Sequence, residues 1–461
     1  PYGRHGGDLA GISNALDYIG GMGFTQIWLN PVLENAMENA SYHGYAVTDL
    51  YKVDPRYGSN ESYRQLVGDA RAKGIGIIMD MIPNHIGSGH WWMEDLPTRD
   101  WLNFQDDLQI TTQARSTNQD PYAAEIDKEA FASGWFVETM PDLNQRNPLL
   151  ADYLIQNAIW WVEYLGLSGI RIDTYPFPDK HFMTEWTRRI MQEYPDINMV
   201  GEEWTPNPAI VSYWQAGKDN PDGYVSYLPG VFDFPLQTAV AESLKQDEPS
   251  WGSAWTPAYE MLGNDPLYPD PFNLVIFPDN HDMSRIYTQL GEDYDLFRMA
   301  IAYYATMRGI PQFYYGTEIL MGNPGTESHG VIRSDFPGGW DGDAVDGFTG
   351  RGLEPQQRAA QDFMRTLLNW RKGASAIHDG KLLNYAPDGN VYAYFRHDDN
   401  QRVMVIFNRG HDEATVDISR YAEGVAGSRR AVDVLTGQRY SLSRDLVVEP
   451  RSVRVLELDA R

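Results

Sequence analysis

The chain has 461 residues, 42% of them apolar and 22% charged, which gives large buried cores in two or three domains and excludes a wholly disordered protein. Lys and Arg number 37 against 64 Asp and Glu, a net charge of −27 that argues against nucleic acid or an anionic lipid surface as partner. No apolar run approaches the roughly 18 residues of a membrane span, and with no cysteine there is no disulfide, thiolate metal site or Cys nucleophile. Aromatic residues make up 13%; they fit a large core, and on an acidic background they also suit a neutral, flat-faced ligand such as a sugar.

Residues 1–8, PYGRHGGD, contain neither a starting Met nor an apolar leader, and read as the start of a processed or truncated chain. Localisation stays open, with a periplasmic or secreted site favoured over a cytoplasmic one. Leu9, Ile12, Leu16 and Ile19 then recur at helical spacing, and FTQIWLN (24–30) follows as a short buried strand. Ser59 is an N-cap type before a helix whose face is Tyr63, Leu66, Val67 and Ala70. IGIIMDMI (75–82) is a nearly continuous apolar run, as expected of a parallel strand covered on both sides. Asn147-Pro148 caps a helix carrying Leu150, Leu154, Ala158, Trp161 and Leu165. GIRID (169–173), INMVGEE (197–203), YVSYL (224–228), NLVIF (273–277) and IPQFYY (310–315) are further strand candidates, with a helical pattern over 296–308 among the segments between them.

This alternation specifies βαβ units and a parallel α/β architecture. Seven strands are counted with a helix before the first, whereas an eight-stranded (β/α)8 TIM barrel begins with a strand. The first strand is therefore expected upstream of Pro1, which would leave two open barrel edges in this chain. Residues 86–147 are too long for an ordinary βα loop and carry little period, so they are read as an inserted domain after the third strand of the full barrel. Beyond about residue 376 come short alternating runs, VYAYF, RVMVIF, ATVDI and SVRVLEL, which read as a C-terminal antiparallel β-sandwich over 376–461. The barrel itself is assigned to 1–85 and 148–375.

Four strand candidates end in acids. IGIIMDMIPNH supplies Asp80 and then His85, GIRID supplies Arg171 and Asp173, NMVGEE supplies Glu202 and Glu203, and NLVIFPDNHD supplies His281 and Asp282. Any one of them has an ordinary explanation as a helix cap or a salt-bridged residue; four converging on one barrel mouth make a catalytic centre. Arg171, two residues from Asp173 on the same strand face, is placed to hold that carboxylate ionised. Glu202, beside an apolar strand and Trp204, is placed to stay protonated as a general acid. Such contrasting carboxylates, roughly 5–5.5 Å apart, are what retaining glycoside hydrolysis needs, with Asp282 bracing the sugar hydroxyls as positive charge develops.

The segments DMIPNH, GIRIDTYPF, VGEEW and FPDNHD resemble, in order and spacing, the four signature regions of the α-amylase superfamily, glycoside hydrolase family 13. MPDLN (140–144) resembles the fifth region of its cyclomaltodextrinase, neopullulanase and maltogenic-amylase branch, as do SYHGYAVTDLYKVDPRYGS, HWWMEDLP and RSDFPGGW elsewhere in the chain. The resemblance implies Asp173 as nucleophile, Glu202 as general acid/base and Asp282 as transition-state stabiliser. It implies that Arg171, His85 and His281 bind the sugar at the cleavage point, that Asp80 is structural or braces the site, and that Tyr45 stacks on the sugar face, its alternative being an ordinary core tyrosine. His43 is either a substrate contact or a loop brace. Glu203 is not the acid, because the family places that residue directly after the Gly. Trp204 lines the leaving-group side, and Arg333 and Asp335 either reach the opposite side or form a salt bridge within their loop.

Three departures qualify the match. Thr-Tyr-Pro-Phe follows Asp173 where many α-amylases carry a Lys-His pair, which fits the cyclomaltodextrinase-like branch. The N-terminal β-domain that such enzymes carry, and through which a homodimer would form, is not in this chain. The branch often binds calcium, but only Gly6 and Asp8 match its ligands here, and a Gly-Asp helix cap is the equal alternative. The resemblance thus implies a retaining hydrolase of α-1,4 bonds in cyclodextrins and short maltooligosaccharides, with transglycosylation where a sugar hydroxyl replaces water, and no organic cofactor. Its alternatives are a neopullulanase, α-amylase or α-1,6-active relative on the same barrel and, in another class, a non-catalytic carbohydrate-binding homologue. Intact acids argue against the last.

Overall fold

The structure, a computed structural model, describes residues 7–39, 41–245 and 254–459. Asp8 caps helix α1 (Leu9–Met22), which ends at the left-handed Gly23. Strand β1 (Gln26–Leu29) follows, and then a small antiparallel pair, Leu33–Glu34 with Asp49–Val53. Helix α2 (Asn60–Ala72) starts in a reciprocal cap between Ser59 and Ser62 and buries Tyr63, Leu66, Val67 and Ala70, the face read from its spacing. It feeds β2 (Gly76–Met81). Beyond the inserted segment, helix α3 (Pro148–Leu165) begins on the Asn147 side chain with Pro148 in its first turn and leads to β3 (Gly169–Ile172).

The remaining barrel strands are β4 (Asn198–Gly201), β5 (Gly230–Val231), β6 (Val275–Ile276) and β7 (Ile310–Pro311). β1 to β5 form one parallel sheet in order, β6 pairs with β7, and a bridge from Phe232 to Val275 joins the two. Among the described residues no ladder connects β7 back to β1. Both flanking strands are correspondingly less covered: Ile310 is 39% exposed, whereas every residue of β3 is buried. The rings of Phe24 and Phe313 meet across this seam at 6.3 Å.

The strand read at YVSYL is not one; the fifth barrel strand is Gly230–Val231. Tyr224 and Leu228 are buried all the same, with Tyr224 stacked on Tyr213 at 4.9 Å. The backbone there is bonded by side chains instead of a ladder, with Asn220 donating to the Tyr224 carbonyl. Burial of a loop produced the alternation that imitates a strand.

The C-terminal region is a six-stranded antiparallel sheet, in the order β8 (Lys381–Asn384), β9 (Val391–His397), β10 (Arg402–Asn408), β15 (Ser452–Leu458), β12 (Arg430–Asp433), β13 (Arg439–Ser441). One face packs under the two-stranded sheet of β11 (Ala414–Val416) and β14 (Leu446–Val448), through Phe395, Ile406 and Leu456. The other face, through Tyr392, Val405, Phe407 and Val455, shares a core with the helix Tyr294–Thr306 of the barrel. No helix among the described residues is long and apolar enough to cross a membrane.

Arg308, just before β7, ties three barrel segments together. Its guanidinium meets Asp233 at 2.8 Å and grips Asp265 with two bonds of 2.9 and 2.6 Å. Because Asp233 is buried, an Arg308→Ala variant leaves an uncompensated charge, and a loss of about 3–5 kcal/mol is expected from the shift of the urea midpoint.

Candidate functional site

Parallel register brings the acids together. Asp80 on β2 is the direct ladder partner of Arg171 on β3. The ladder then runs one residue past the strand ends: the Asp173 amide donates to Met81 O at 3.0 Å and the Glu202 amide to Ile172 O at 3.1 Å. Asp173 and Glu202 thus leave adjacent strand tips on fixed backbone, as the sequence reading expects.

Arg171 is the cation they share. One terminal nitrogen reaches Asp80 at 2.9 and 3.1 Å and Asp173 at 2.8 Å; the other meets Glu202 Oε2 at 2.9 Å. The guanidinium lies over the Trp28 ring at 4.9 Å and over the Tyr45 ring at 5.7 Å. All four charged groups are buried. Burial raises Asp80 to about 7 against the pull of Arg171, and raises Asp173 and Glu202 as well. Arg171 does contact Asp173, yet the net shift of that carboxyl is upward, because desolvation exceeds the attraction of a cation divided among three acids.

Asp282 differs. Burial pushes it up, but His281, Arg333 and Arg171 outweigh that and hold it well below the ordinary carboxylate range. His281 Nε2 lies 3.0 Å from Asp282 Oδ2 and 2.9 Å from the Tyr45 hydroxyl, whose own hydrogen goes to Asp80 at 3.0 Å. Arg333 bonds Asp282 Oδ1 and donates to the His281 carbonyl at 3.0 Å. Arg333 is therefore tied to the third acid.

The other expected residues divide. Tyr45 is buried, parallel to the His281 ring at 5.7 Å. His43 braces its loop, Nδ1 accepting from the Tyr45 amide at 2.9 Å. His85 is buried on Phe136 of the inserted segment at 5.3 Å, and burial lowers it to about 4, so it is neutral. MPDLN lies beside IPNH, with the Leu143 amide donating to Asn84 O and Asp142 bridging to His85. Trp204 stacks on Phe234 at 4.9 Å, and Asp335 accepts from the Trp340 indole at 3.1 Å. Gly6 lies outside the described residues. Asp8 Oδ1 caps the Gly11 amide at 2.7 Å, and among the described residues no three His, Cys, Asp or Glu side chains group as metal ligands.

Two site residues escaped the sequence reading. Trp28, read only as strand, donates from Nε1 to Asp80 Oδ2 at 3.1 Å and meets His281 edge-on at 5.4 Å. Alternation along β1 separates it from Ile27 and Leu29, but only the register with β2 aims it at Asp80. Thr174 touches both Asp173 and Glu202, through a backbone conformation that a β-branched residue does not announce.

Glu203, beside the expected acid, is fully buried, with Oε2 accepting from the Trp214 indole at 2.8 Å. Burial raises it from 4.5 to about 7. Between those values the unfolded chain has lost the proton that the folded chain keeps, so stability falls as pH rises, by on the order of 3 kcal/mol in all. Glu203→Gln removes this slope. Relative to the parent, its urea midpoint is expected to gain as pH goes from 5 to 8, and a pH-independent difference between the two proteins refutes the assignment.

Comparison with known proteins agrees with this architecture. Residues 2–381 match the family model of the α-amylase catalytic domain and residues 382–457 that of the cyclo-malto-dextrinase C-terminal domain. The cyclomaltodextrinase of Geobacillus thermopakistaniensis is 27% identical over 448 residues, covering 95% of this chain and 67% of that protein. Neopullulanase 2 of Thermoactinomyces vulgaris is 28% identical over 450 residues, covering 94% and 67%. The crystal structure of an α-amylase from Geobacillus thermoleovorans, complexed with acarbose, has a TM-score of 0.82 at 25% identity and covers 100% of this chain and 94% of that one. With the five motifs in order and the two family models matched over residues 2–381 and 382–457, the chain belongs to the α-amylase family of glycoside hydrolases, with the C-terminal domain of the cyclomaltodextrinases.

Proposed function

We propose that this chain is a retaining α-glucan hydrolase that cleaves α-1,4 bonds of cyclodextrins and short maltooligosaccharides. One observation carries the reading: two buried carboxylates on neighbouring strand tips, Asp173 and Glu202, share a single guanidinium. One cation is shared by both in a desolvated site, so burial raises both carboxyls and the pair keeps a proton to higher pH than exposed carboxyls do. Asp173, with donors on both oxygens, is the anion and attacks the anomeric carbon. Glu202 gives its proton to the glycosidic oxygen as that bond breaks, leaving a glycosyl ester on Asp173. Glu202 then takes a proton from water, which opens the ester with a second inversion; a sugar hydroxyl in place of water gives transglycosylation. Asp282, ionised throughout, faces the positive charge that develops on the ring. The names of the two relatives and the C-terminal domain support cyclodextrins and short α-glucans as substrates.

Initial rates on β-cyclodextrin, maltoheptaose, soluble starch and pullulan test the substrate, with product anomer followed by NMR. Cyclodextrin turned over faster than starch, with α-anomeric product, is the expected result; starch or pullulan preferred moves the chain to the α-amylase or neopullulanase reading. Glu202→Gln is expected to lower kcat on the order of 10²–10⁴-fold. No turnover of any α-glucan, or β-anomeric product, overturns the mechanism. The rate requires Asp173 ionised and Glu202 protonated, and burial raises both groups. Both limbs of the pH–rate profile should therefore lie above the ordinary carboxylate range, activity rising as Asp173 loses its proton and falling as Glu202 does.

A further inference from the structure

Thr174 follows Asp173 with a φ of +43°, in the left-handed region that a β-branched side chain normally avoids. Such a conformation costs on the order of 1–3 kcal/mol and persists only where its surroundings hold it. Here the holding is visible in three consecutive amides. Asp173 N donates back to Met81 O on β2, Thr174 N donates at 3.1 Å to Glu202 Oε2, and Tyr175 N donates forward at 3.1 Å to the Glu202 carbonyl beyond β4. The residue between the two strand tips must turn, and the turn aims its amide at the neighbouring carboxyl. Its hydroxyl meanwhile donates at 3.1 Å to Asp173 Oδ2.

We propose that Thr174 is a positioning residue that assigns the nucleophile and acid roles to Asp173 and Glu202, its hydroxyl holding one carboxylate and its amide orienting the other. The chemistry follows from which oxygens are occupied. Glu202 Oε2 accepts from both Arg171 and the Thr174 amide, neither of which can accept a hydrogen. The proton of the acid therefore resides on Oε1, free to be delivered to the leaving oxygen. Asp173 has Arg171 on Oδ1 and the Thr174 hydroxyl on Oδ2, so neither oxygen needs a proton. The hydroxyl favours the Asp173 anion; the amide draws Glu202 the same way, so its part is orientation, leaving Oε1 as the oxygen that carries the acid's hydrogen. The inference rests on the hydrolase reading given above and adds to it the residue that holds and orients the two carboxylates.

The groups facing the pair are Arg171, Asp80, Tyr45 and Asp282, with Glu203 behind Glu202, and none of them is altered by a change at Thr174. Thr174→Val removes the hydroxyl at nearly constant shape. Expected are a kcat lower by about tenfold with KM within about twofold, and an acid limb of the pH–rate profile moved upward by about half a unit to one unit. Thr174→Ser, which restores the hydroxyl, should recover most of that loss. Should the valine protein not fold, Thr174→Ala removes the same hydroxyl from a smaller side chain. If the parent hydrolyses α-glucans with retention while the hydroxyl-less variants keep its kcat and acid limb, the inference fails and the hydrolase reading stands. If the parent turns over no α-glucan, the hydrolase reading fails. The inference is then decided by ¹³C NMR titration of the Asp173 carboxyl: an upward shift on loss of the hydroxyl upholds the contact's role, and an unmoved titration overturns it.

Discussion

The constraint on which this site depends is that one buried cation serves three buried acids. Arg171 contacts Asp80, Asp173 and Glu202 at 2.8–2.9 Å. Were all three ionised, the cluster would carry two uncompensated negative charges in a desolvated interior, a cost of several kcal/mol for each ion. Retaining protons is the inexpensive solution, and it makes an acid available at a pH where an exposed Glu has none. The aromatic rings of Trp28 and Tyr45 complete the arrangement by covering the guanidinium, so that water does not dilute its charge. Nothing else in the barrel mouth has to be unusual for two of its carboxylates to behave differently from surface ones.

That cluster is a product of strand register more than of loop design. Asp80 and Arg171 pair because β2 and β3 run parallel with those residues opposed, and Asp173 and Glu202 stand one step past the ends of the same ladder. This is why the acids were legible in the sequence. Each closes a continuous apolar run, and runs of that kind form a covered parallel sheet whose C-terminal edge is a common mouth. Trp28 and Thr174 were not legible, for two different reasons. Trp28 needs the register of β1 against β2, which its own segment does not encode. Thr174 needs a backbone angle contrary to its local preference, imposed by bonds to two other strands. YVSYL misled in the opposite direction, since a buried loop fixed by Asn220 and by stacked tyrosines alternates as a strand does.

The inserted segment shows how a stretch with little period can still be well determined. Its backbone is satisfied in part through isolated bridges, such as Leu102 with Leu143, and through side chains, such as the Trp135 indole donating to the Asn103 carbonyl at 2.7 Å. No element repeats long enough to leave a pattern. What the segment accomplishes is local: it returns MPDLN to the end of β2 and lays Phe136 on His85, fixing a neutral imidazole beside the acids. From its other end, Arg115 reaches the Trp204 carbonyl at 2.6 Å and so braces the turn that follows Glu202 and Glu203. The wall of the site and the loop of its acid are thereby joined by a direct hydrogen bond.

Three carboxylates in one cleft then acquire three characters from their neighbours alone. Asp282 is held ionised first by the His281 N–H and Arg333, which bond it directly, and then by Arg171 at longer range. Asp173 and Glu202 share Arg171 and divide the two donors of Thr174, hydroxyl to the first and amide to the second. A charge that does not titrate near neutrality can stabilise a cationic sugar at any working pH, so the pH response of the reaction must originate in the pair that shares a cation. Keeping a constant charge beside a titrating pair calls for a second set of donors, and the fold supplies it from the opposite side: Arg171 from β3 binds the pair, and Arg333 from the segment after β7 binds Asp282. An enzyme with a single arginine between all three acids would couple the stabiliser to the proton it must not compete for.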